Sequence, residues 1–113
     1  MQTLSNKAFK LDERRSFRHP MCIVTRLREL GAADVPIVLR NVSAVGFSGE
    51  CNAAIEAPTL VAIHLPPLGE VRARVRWVND GIIGGEFLTR LNNLELERVL
   101  ATAPNNIVDL DRR

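Results

Sequence analysis

The 113-residue sequence has no tyrosine, one tryptophan, two cysteines, two histidines and only two lysines, and each scarcity removes a class of function. Single-stranded nucleic-acid binders stack bases on several aromatics set in a basic face. One Trp and four Phe make a poor platform of that kind, and the net charge of +2 is too small to argue for nucleic acid. Cys22 and Cys51 form no CxxC pair, and His19 and His64 are far apart with no metal-ligand spacing around them. Both cysteines fall in apolar, strand-like runs, which predicts buried free thiols rather than a disulfide, and with them a reducing, cytoplasmic setting. No apolar run approaches the ~18 residues of a membrane helix, and the opening MQTLSNKAFKLDE has no signal-peptide core. No nucleophile motif, no glycine-rich phosphate loop before a helix and no carboxylate pair is present. The chain does not read as an enzyme, and no cofactor or metal is expected.

What remains is a soluble globular composition, 46% hydrophobic and 25% charged, of a length that suits one domain. Of its 15 basic residues, 13 are arginine. Arginine offers a planar fork of donors that fits phosphates and guanine edges and stacks on flat rings, whereas lysine is a hydrated point charge.

Most of the patterning has the period of strands. Strands are predicted over 21–30, 35–40, from 47 to 51, 59–65, 70–79 and 82–88. The clearest is 70–79, where Val71, Ala73, Val75 and Trp77 alternate with Glu70, Arg72, Arg74 and Arg76. This alternation places Trp77 in the core and the three arginines on a solvated outer face, and it leaves His64 half-buried on its own strand. Asp80-Gly81 predicts a tight hairpin turn into the next strand. Leu91, Leu94, Leu96, Val99 and Leu100 then form a helical stripe, with Asn92 or Asn93 as cap and Pro104 as stop. Several short strands followed by one helix predict a mostly β protein, a small antiparallel barrel or sandwich with a C-terminal α-helix. The expected division is a flexible segment at 1–12, the domain at 13–103 and a loose tail at 104–113.

Two stretches carry chemistry. ERRSFRHP at 13–20 places Arg14, Arg15 and Arg18 within five positions. Taken alone, this is a solvated charge run or an anion clamp, and Arg72/Arg76 repeats the RxxxR spacing. Pro20 keeps the first copy from being helical near its end, so its arginines are free to close on a ligand from two sides. The second stretch, Asn41-Val42-Ser43-Ala44-Val45-Gly46, places an amide, a hydroxyl and a glycine together between two strands. Such a turn is able to read a base edge and a phosphate, or to hydrogen-bond only to its own backbone.

RxxxR before the first strand, NxSxxG after two strands, and VRWVNDGIIGGEF over 75–87 together resemble the PilZ domain family across roughly residues 13 to 103. The resemblance implies a six-stranded antiparallel β-barrel with a C-terminal helix that receives the bacterial second messenger cyclic-di-GMP. It implies that Arg14 and Arg18 grip guanine edges and phosphates, that Arg15 helps to neutralise the ligand, and that Asn41, Ser43 and Gly46 supply the other side of the site. The family often has proline before the second arginine, where this chain has Phe17. A register one residue along would pair Arg15 with His19, which in either register adjoins the site.

The implied output is a conformational change passed to an unidentified downstream protein, without nucleic-acid binding or membrane insertion. The alternative is a PilZ-like adaptor that binds no nucleotide, against which the presence of both motifs counts. Gly84-Gly85-Glu86-Phe87 is one residue short of the GG[D/E]EF loop of diguanylate cyclases. It sits on a predicted strand, where small residues in a strand pair explain it better.

Overall fold

The protein is described by a computed structural model covering residues 19–102. The arginines at 14, 15 and 18, the segment at 1–12, the tail at 104–113 and the Pro104 stop lie outside the described residues. Six strands run in chain order as β1 (His19–Glu29), β2 (Val35–Val42), β3 (Gly46–Glu50), β4 (Thr59–Leu65), β5 (Gly69–Asn79) and β6 (Ile82–Phe87), followed by helix α1 (Asn93–Thr102). They close into a barrel in the order β1-β2-β3-β6-β5-β4, with every neighbouring pair antiparallel. Closure gives every strand a partner on each side, with β1 meeting β4 over Leu27–Glu29, and so shortens the exposed edge that would template aggregation.

Alternation fills the interior. Leu27, Leu39, Phe47, Ile63, Val75 and Ile83 all have no exposed surface and form one contiguous core. Phe47 stacks on Phe87 with ring centroids 5.9 Å apart, a pairing that adds about 1 kcal/mol to the area it buries. Asp80 and Gly81 both have positive φ, 52° and 79°, as the predicted type I′ turn between β5 and β6 requires.

Helix α1 begins with a capping box. The Glu95 amide donates to Asn92 Oδ1 at 2.8 Å, and the Asn92 amide donates to Glu95 Oε1 at 2.9 Å. Two orphan donors of the first turn are thereby satisfied. Leu91, Leu96 and Val99 pack on the barrel core, but Leu94 is 61% exposed. The predicted stripe was too wide, because Leu94 falls on the solvent side of a helix that meets the barrel along a narrow contact.

Two other expectations change. β2 runs on to Val42, so Asn41 lies on a strand rather than in the turn. Trp77 is 42% exposed and not in the core. The pairing of β5 with β6 shifts between Val75, opposite Gly85, and Trp77, opposite Gly84. Arg76 is the extra residue of a β-bulge, so Arg76 and Trp77 both face outward where strict alternation would have sent Trp77 inside. Cys51 is buried and Cys22 half-buried, both as free thiols. No helix among the described residues is long and apolar enough to cross a membrane.

Candidate functional site

The Asn41–Gly46 segment is held rigidly by its own atoms and by its neighbours. Ser43, 1% exposed, turns its hydroxyl inward, where it accepts from the Val45 and Gly46 amides at 3.1 Å each. The Ser43 amide donates to the Gly46 carbonyl at 2.9 Å, which closes the turn. The turn is then fastened to the rest of the barrel, since the Phe87 amide donates to Val45 O and the Leu91 amide to Ala44 O, both at 2.8 Å. Gly46 is required by close approach, because a Cβ there would overlap the Gly85 carbonyl oxygen of β6. Asn41 projects from the outer face of β2, where its Nδ2 donates to Ser48 Oγ at 3.0 Å.

Strand register then assembles a row around the outside of the barrel. Pro20 lies opposite Asn41, Asn41 opposite Ser48, Ser48 opposite Gly84, and Gly84 opposite Trp77. Five strands thus bring together the start of β1, the Asn41 turn and the tryptophan of β5. The Trp77 ring lies flat over Gly84, so closely that a Cβ on Gly84 would overlap its indole atoms. One face of the ring rests on the sheet and the other is open.

Beside this row is an open cavity of about 410 Å³ lined by Val45, Gly46, Arg76, Trp77, Gly85 and Glu86. Its size is that of ordinary small-ligand sites. Its lining combines an aromatic face, glycine backbone and an ion pair, with Arg76 Nη1 3.4 Å from Glu86 Oε2 and both side chains about half exposed. No cluster of His, Cys, Asp or Glu able to hold a metal occurs among the described residues.

Neither a family model nor a curated protein sequence matches the chain. Among solved structures, it is similar to the PilZ domain of CeSA from a cellulose-synthesizing bacterium. That likeness has a TM-score of 0.55 and 23% identity over 75% of this chain and 92% of the other. The chain has the PilZ-domain fold.

On this PilZ barrel the residues singled out from sequence are distributed unevenly. Gly46 lines the cavity, Asn41 stands in the row beside it, and Ser43 is buried beneath, shaping the turn. His19 begins β1 opposite Val42, one residue before that turn. Sequence reasoning missed Trp77, Arg76 and Glu86, which form the cavity's far wall. A signal was available. The Asp80-Gly81 turn fixes the hairpin register, which sets Trp77 against Gly84, and a glycine under a tryptophan leaves the ring nowhere to pack but flat on the outer face. The GGEF stretch proves to be strand β6, whose glycines seat Trp77 and admit β3.

Proposed function

We propose that the chain is a receptor for cyclic-di-GMP, bound on the outer face of the barrel between the Asn41–Gly46 segment and Trp77. The observation that carries this reading is the row Pro20–Asn41–Ser48–Gly84–Trp77. It brings the strand that Arg18 leads into alongside the NxSxxG turn and an open aromatic face. Each component suits one part of the ligand. Arginines form charge-assisted, forked bonds to phosphate and to guanine O6 and N7. Trp77 stacks a base, worth about 1–3 kcal/mol. Asn41 offers an amide, Gly46 allows close backbone approach, and Ser43 holds the turn in shape.

Arg14, Arg15 and Arg18 close over the bound nucleotide, and the entropy lost on ordering that segment is offset by its phosphate contacts. A segment fixed only when ligand is present alters the surface offered to a partner protein, which is the output of a domain that binds and signals rather than catalyses. The adaptor reading keeps the same turn for the fold alone, and the inward hydroxyl of Ser43 is what favours it.

Calorimetric titration separates the two. Cyclic-di-GMP is titrated into the native chain and into Arg14→Ala, with GTP as control. Saturable binding by the native chain that is lost in the variant supports the receptor. Absence of heat, together with no change in Trp77 fluorescence, overturns it.

A further inference from the structure

The cavity contains a carboxylate, which is an unexpected group at a site for a dianionic ligand. Glu86 lines it, sits opposite Gly46 in the strand register, and is about half exposed. In the strand register Glu86 lies between Gly46 of the turn and Arg74 of β5. Arg76, the bulge residue, holds it from the other side at 3.4 Å. The open face of Trp77 adjoins both.

A carboxylate there is unfavourable to phosphate but has a good use toward a base. An ionised carboxylate only accepts hydrogen bonds, through two oxygens. Guanine presents two adjacent donors, N1–H and the N2 amino group, on its Watson–Crick edge. Adenine presents an acceptor at N1 in the same place, and a carboxylate facing it is left unpaired and repelled. We infer that Glu86 is the residue that selects guanine over adenine in the bound dinucleotide, accepting from N1–H and N2–H of the base stacked on Trp77 while Arg76 aims the carboxylate. The inference rests on the nucleotide-receptor reading above.

The test is the ratio of affinities for cyclic-di-GMP and cyclic-di-AMP, measured on the full chain as native, Glu86→Gln and Glu70→Gln. Glu70 is a carboxylate on the same strand face as Arg72 and Arg74, paired with Arg28 away from the cavity, so its variant carries the same change in charge. The glutamine amide offers both a donor and an acceptor, a pattern that matches adenine N1 and N6. Glu86→Gln is expected to lower the native preference for the guanine dinucleotide by about tenfold to a hundredfold, and Glu70→Gln to leave it unchanged. If Glu86→Gln strengthens both ligands equally, the carboxylate only repels phosphate and the inference is overturned, with the receptor intact. An unchanged ratio in Glu86→Gln overturns it as well. If the native chain binds neither dinucleotide, inference and receptor fall together.

Discussion

In the first half of β5, Ala73 and Val75 are fully buried while Arg72 and Arg74 are exposed; beyond Val75, Arg76 and Trp77 are both exposed. The same strand is an ordinary barrel stave at one end and the wall of an open cavity at the other. One residue makes the difference. The bulge at Arg76 breaks the ladder against β6, restarts the register at Trp77 opposite Gly84, and places an aromatic ring and an arginine side by side on the outer face. Bulges are used in this way to re-aim side chains. The lesson is that period-two alternation identifies a strand reliably but assigns its faces only as far as the next irregularity.

The comparison breaks most visibly if a charge is introduced in each half. Val75→Asp buries an unpaired carboxylate in the core, which costs several kcal/mol out of the roughly 5–15 that hold such a domain folded. Trp77→Asp, on the solvent side of the bulge, loses only the part of the indole that rests on the sheet and costs less, about 1–3 kcal/mol. Urea unfolding midpoints measure both, and similar losses at the two positions would show that Trp77 is core after all.

A milder pair sharpens the functional half of the contrast. Trp77→Ala is expected to weaken cyclic-di-GMP binding about tenfold or more, as loss of one stacked base implies, with a modest fall in the unfolding midpoint from the lost packing on Gly84. Val75→Ala should do the reverse, losing about 2 kcal/mol of stability with affinity unchanged. Parallel calorimetry and denaturation on the two variants separate site from stave.

The smallest effect lies at the beginning of β5. Arg28 forks onto Glu70, donating from Nη1 to Oε2 and from Nη2 to Oε1. This hydrogen bonding, aided by the positive charge, holds the Glu70 carboxyl below its ordinary value of 4.5. A depressed carboxyl favours the folded state wherever it is ionised. Its contribution is therefore complete above pH 4.5, the unfolded value, and is lost as pH falls through the lower native value. The pair is exposed and screened by salt, so the loss is slight. Thermal melts of native and Glu70→Gln chains should converge as the pH falls well below 4.5; a gap that persists unchanged into acid would show that the pair does not shift Glu70.

Much of the architecture was legible because its determinants are local. Alternation marked β5, turn chemistry at Asp80-Gly81 marked the hairpin, and Asn92 or Asn93 as a cap marked the start of α1, since each depends on residues adjacent in the chain. Leu94 was misplaced because helical period says which residues share a face, not how wide a contact the barrel offers that face. Of the candidate site, Asn41 and Gly46 were identified as a spacing motif. The wall made by Arg76, Trp77 and Glu86 was not, since strict alternation sent Trp77 inside and the bulge at Arg76 that turns it outward has no mark of its own in sequence.

The sequence by itself determined the strands, their order and the turn chemistry, because backbone propensity and hydrophobic period act over a few residues. It also determined that Ser43 and Gly46 would shape a tight connection between β2 and β3. Beyond the β5–β6 hairpin, whose turn sets Trp77 opposite Gly84, tertiary structure decided which residues meet across the barrel. Strand register laid Asn41, Ser48, Gly84 and Trp77 in one row, the missing Cβ of Gly84 let the indole lie flat, and a single unpaired residue on β5 turned that row into a cavity with an aromatic face. The physical reason is that a bulge and its register are settled by the partner strand, through side-chain volume and hydrogen bonds that exist only once the barrel has closed.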